Sequence, residues 1–108
     1  MSKKRIKTKI IMNRVSYRIF KPEIVKVTRL EFEAAVEGPL VNNVGQCDVA
    51  INNQLDIYLE CQGPPTTDFS FYVWVDSRPI ITETGNGEIK GTITSNGKCI
   101  INSGYNWY

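Results

Sequence analysis

The chain has 108 residues, 42% apolar and 22% charged, an ordinary balance for one globular domain able to bury its own core. It contains no histidine, which excludes Ser-His-Asp and Cys-His nucleophile systems, histidine-ligated metals and the commonest general base. The net charge of +2 hides a split: residues 1–30 hold ten basic side chains against Glu23, a net +9, while residues 31–108 hold Arg78, Lys90 and Lys98 against ten acids, a net −7.

Such a split predicts a basic surface for an anionic partner, or one that answers the acidic remainder of the same domain or of a neighbouring subunit. Residues 1–5 are expected to be disordered, and residues 6–108 to form one domain. The basic opening would serve as the first part of a secretory signal. Its apolar stretch Ile10-Ile11-Met12 stops at Asn13-Arg14, however, well short of the roughly 7–15 residues such a signal needs. The cytosol is therefore the expected compartment, with a mature secreted domain as the alternative. No apolar run approaches the ~18 residues of a membrane-spanning helix.

Strand-type alternation recurs along the whole length. Ile6, Thr8, Ile10 and Met12 share one parity, and Val15, Tyr17 and Ile19 share the other. A hairpin turning at Asn13-Arg14 accounts for the change, pairing Met12 with Val15 and setting Lys9 opposite Arg18. A β-bulge near Ile10-Ile11 in one continuous strand is the alternative. Residues 24–37 read as a strand with a bulge near Thr28. A helix competes there, since Thr28-x-x-Glu31 resembles a capping box and Gly38-Pro39 would stop it.

Across the loop Asn52-Asn53-Gln54, Ile51 is expected to pair with Leu55, Val49 with Ile57 and Cys47 with Leu59, and Cys61 faces the same way. In that register Cys61 lies diagonally from Cys47, a poor disulfide geometry, so both thiols belong to the core. Three cysteines without a C-x-x-C spacing assemble no zinc site. After Gly63-Pro64-Pro65, Phe69, Phe71, Val73 and Val75 alternate with Ser70, Tyr72 and Trp74, a central strand with bulk on both faces. Arg78-Pro79 begins a returning strand, Gly85-Asn86-Gly87 turns into Glu88–Thr94, and Asn96-Gly97 signals a type I′ turn into Cys99–Ser103. About eight strands and no helix predict an all-β protein, a small antiparallel β-sandwich, immunoglobulin-like in broad architecture. An open β-barrel is the runner-up.

Two site candidates follow. Arg5, Lys7, Lys9, Arg14 and Arg18 form a basic comb suited to an acidic protein surface or, without sequence specificity, to nucleic acid. Tyr72, Trp74, Tyr105 and Trp107 form a candidate aromatic face for carbohydrate or a partner, or else serve the core. No cofactor is expected. No catalytic motif is present, and the one close carboxylate group, Asp48, Asp56 and Glu60, is expected on a solvated strand face rather than in a cleft. The expected function is a non-catalytic binding or assembly module acting through protein–protein contacts or self-association, as in a component of a larger structure such as a viral particle; carbohydrate binding is the alternative.

Overall fold

The computed structural model describes residues 11–108. Arg5, Lys7 and Lys9, the segment expected to be disordered and most of the first expected strand lie outside these residues. Nine strands follow in order: β1 (Asn13–Phe20), β2 (Lys26–Phe32), β3 (Val36–Glu37), β4 (Val44–Val49), β5 (Leu55–Gln62), β6 (Asp68–Val75), β7 (Arg78–Pro79), β8 (Glu88–Thr92) and β9 (Lys98–Tyr105).

They form two antiparallel sheets. The first runs β4-β1-β6, with β7 and β8 paired to successive stretches of the far edge of β6; the second runs β3-β2-β5-β9. One core lies between them. From the first sheet it takes Val15, Tyr17, Ile19, Phe71, Val73 and Val75, and from the second Leu30, Phe32, Leu55, Ile57 and Leu59. Each large side chain so buried contributes about 1.5–3 kcal/mol by leaving water. No buried polar side-chain atom among the described residues lacks a hydrogen-bond partner. The molecule is the expected all-β sandwich, and among the described residues no strand pair joins the sheets into a barrel.

Facing directions follow the sequence alternation closely. Strand partners do not, because most connections cross from one sheet to the other. The expected hairpin over 47–61 is corrected: β4 pairs with β1, setting Cys47 opposite Val15, and β5 pairs with β2 and β9. Residues on both strands still face inward, but from opposite walls of the core. All three cysteines are free, and Cys61 lies opposite Cys99 rather than near Cys47. Burial pushes the Cys61 thiol up to about 12.

The hairpin at Asn13-Arg14 is also corrected. Both residues belong to β1, and β4 and β6 occupy its two edges, so Val15 pairs with Cys47 and Val75 and nothing is left for Met12. The bulge at Thr28 is present, as a register shift between Val27 and Arg29. The strand around it ends at Phe32, earlier than expected: Glu33 and Ala34 both turn with φ of 55°, and β3 returns against β2. At Asn96-Gly97 only the glycine has positive φ, and Gly97 N–H bonds to the Thr94 carbonyl at 2.9 Å. The turn is thus type I with a left-handed glycine rather than type I′, and it carries the chain between sheets.

Candidate functional site

The strands β1 and β6 lie side by side, and their alternate residues build the outer face of the first sheet. Val15, Tyr17 and Ile19 go inward, so Arg14, Ser16, Arg18 and Phe20 go outward; on β6 the outward set is Ser70, Tyr72 and Trp74. Register places Ser16 opposite Trp74, Arg18 opposite Tyr72 and Phe20 opposite Ser70. Residues fifty or more positions apart in sequence become neighbours here.

Three rings form a continuous array. Tyr72 and Trp74 lie nearly parallel, at 15° with centroids 6.2 Å apart, and Phe20 meets Tyr72 at 89° and 5.5 Å. The Arg18 guanidinium lies over the Phe20 ring at 5.6 Å, a cation–π contact. Phe20 is 54% exposed, a large apolar side chain left on a sheet face. Beside the array, Ser70 donates to the Glu88 carboxylate at 2.7 Å, which holds that carboxyl below the usual range.

Arg14 occupies the other end of the face and is already engaged. Its side chain bonds to Asp48 at 2.7 Å and to Gln46 at 3.4 Å, while its backbone N–H bonds to Asp76. An ion pair this exposed contributes little to stability, but it leaves Arg14 less charge to offer a partner. Arg18 forms no ion pair among the described residues. Of the five basic candidates it is therefore the one placed, described and uncommitted.

The four aromatic candidates separate into two places. Tyr105 and Trp107 pack against the core, and the tail bridges Trp107 to Ile80, with Ile81 N–H bonding to the Asn106 carbonyl at 2.8 Å. They close one end of the sandwich and do not join Tyr72 and Trp74. The carboxylates disperse as well: Asp48 pairs with Arg14 on the first sheet, while Asp56 and Glu60 lie on β5 of the second. No cluster able to hold a metal ion occurs among the described residues. Phe20 was not singled out from sequence, although its spacing of two from Arg18 carried the signal.

Compared with known proteins, the chain matches no family model, no curated protein and no solved structure.

Proposed function

We propose that the protein is a non-catalytic binding module that docks a partner protein on the outer face of β1 and β6. The observation that carries this reading is the Phe20–Tyr72–Trp74 array with Arg18 laid across its end. Tryptophan, tyrosine and arginine are the side chains that most often dominate binding energy at protein interfaces, and here they stand contiguous on a rigid sheet. An uncommitted guanidinium at the rim favours a partner with an acidic residue at the matching point.

Ring geometry weighs against the alternatives. Sugar rings and nucleobases stack on an open aromatic face. Tyr72 is hemmed by Trp74 along the strand and by Phe20 across it, which leaves it little open face for a flat ligand. The cationic surface is also thin: Arg14 answers Asp48, and Lys90, opposite Ser70, stands between Glu88 and Asp68, so a polyanion would meet alternating charge beside Arg18.

Tryptophan fluorescence titrations test the choice. Oligothymidylate and neutral oligosaccharides should produce no saturable change at near-physiological salt. A saturable change that Trp74→Ala abolishes would overturn the protein-docking reading in favour of the ligand that caused it.

A further inference from the structure

The second sheet ends in an edge that lacks the usual protections. Exposed edge strands are normally short, charged or interrupted by proline, since their unpaired backbone groups recruit other chains. The other edges of the described residues conform: β3 and β7 have two residues each, β7 contains Pro79, β8 carries Glu88 and Lys90, and β4 carries Asp48. By contrast β9 runs for eight residues, and after Lys98 it reads Cys-Ile-Ile-Asn-Ser-Gly-Tyr, with no charge and no proline.

The direction of its backbone groups follows from its neighbour. The carbonyls of Asp56 and Glu60 accept bonds from Glu33 and Thr28, on the β2 side. Even-numbered residues of β5 therefore point away from β9, and so must their partners Ile100, Asn102 and Gly104 point away from β5. Their N–H and C=O groups have no backbone partner among the described residues. Ile100 is 54% exposed. At the end of β9, Gly104 and Tyr105 border a groove of about 640 Å³ shared with β8 and residues 81–84, whose lining includes Ile81, Ile89, Glu83 and Glu88.

We propose that this edge binds the N-terminal segment of a second copy of the chain, added to β9 as an antiparallel strand. By their shared parity Ile6, Thr8 and Ile10 would take one face of the added strand and Lys7 and Lys9 the other; on the outer side β9 itself offers Lys98, and β5, one strand further in, offers Asp56 and Glu60. The charges agree more widely: residues 1–10 hold five bases and no acid, while residues 11–108 hold eight bases against eleven acids. From Val15 onward both edges of β1 are filled, by β4 and β6.

Its own β9 is a poor target. The start of β1 lies opposite the end of β6, at the end of the sandwich where Trp107 bridges to Ile80. Reaching β9 from there means passing two strands at ~4.8 Å each and changing sheets across ~10 Å, which consumes much of the alternating run. The segment would also arrive parallel, the weaker pairing. A neighbour's edge accepts the whole run in the antiparallel sense. This inference uses a different surface from the β1–β6 face and does not depend on that face docking a partner.

Light scattering coupled to size exclusion, on the full chain over a concentration series, tests it. The native chain should assemble with rising concentration. Asn102→Pro removes only an outward N–H and Ile100→Lys adds a charge at an exposed position, so either should keep the fold, checked by circular dichroism, and weaken assembly at least about tenfold. Ile6→Asp combined with Ile10→Asp should do the same from the other side. Mixing the Asn102→Pro chain with the Ile6→Asp/Ile10→Asp chain restores one good edge and one good strand, and should yield a complex of two chains that grows no further. A native chain that stays monomeric overturns the proposal, as does assembly that none of these substitutions weakens. Loss of assembly through Trp74→Ala or Arg18→Glu, with β9 variants unaffected, would place the contact on the β1–β6 face instead.

Discussion

Two side chains show how individual groups hold this sandwich. Tyr17 is 2% exposed, packs against Phe32 and Phe71, and donates its hydroxyl to the Pro39 carbonyl at 2.7 Å. Burial raises its pKa, so it stays neutral and keeps donating throughout the working range. Tyr17→Phe keeps the ring and deletes the bond. It should cost about 1–2 kcal/mol in urea unfolding, since the carbonyl then loses its partner in a half-buried place. Asp76 is exposed but well served: Arg14 N–H and the Asn13 amide hold its carboxyl below the ordinary value of about 3.9. A lowered folded pKa means stability that is present above that ordinary value and lost as pH falls through the folded one. Asparagine suits the positive φ at this position, so the carboxylate's share shows in the pH trend: the melting temperature of Asp76→Asn should compare least favourably with the native chain at pH 7 and gain on it towards pH 2.

At the scale of elements, the turns carry the strain and the strands carry the legible pattern. Asp76 and Ser77, with φ of 49° and 69°, make the two-residue turn between β6 and β7, a geometry that suits glycine or asparagine. Ser77→Gly should stabilise the protein by about 0.5–1 kcal/mol, the relief of a left-handed serine offset partly by glycine's freer unfolded chain. No stabilisation in denaturant titration would mean the turn is held by contacts stronger than its backbone preference. At Gly45 the reason is contact rather than turning: a Cβ there would collide with the Tyr17 ring and the Pro39 carbonyl, so even alanine would displace the buried tyrosine.

The same scale explains what could be read in advance. Burial on β6 alternates as Phe69, Phe71, Val73 and Val75 predict, because side-chain direction is a local property with a period of two. Pairing is not local. The run from Cys47 to Cys61 carries an alternation that fits a hairpin and a crossover between sheets equally well, and a partner for β4 appears only when β1 is placed beside it. The basic comb and the aromatic face were likewise legible as residue types. Their meeting at Arg18 and Tyr72 depended on a register between strands fifty residues apart, for which the sequence holds no local sign.

For the whole molecule, the crossing connections have a functional consequence. A chain of simple hairpins would keep sequence neighbours together. This chain alternates walls, so β1 becomes a central strand between β4 and β6, and its outward Arg18, laid over Phe20, comes to stand opposite Tyr72 of β6. Trp107, which could have joined them, is spent closing the end of the sandwich against Ile80. What results is a rigid scaffold with one aromatic, arginine-edged face and, on the opposite sheet, one long uncharged edge.

The central claim is that the β1–β6 face docks a partner protein, and site-specific photocrosslinking tests it most directly. A benzophenone side chain in place of Ser16, directly opposite Trp74, samples that face in the cells that make the protein. The same group in place of Gln62, on the outer side of β5, serves as the control. One discrete polypeptide adduct at position 16, absent from position 62 and lost when Trp74→Ala is added, is the predicted result. No polypeptide adduct at position 16, or the same adducts from both positions, would contradict the account.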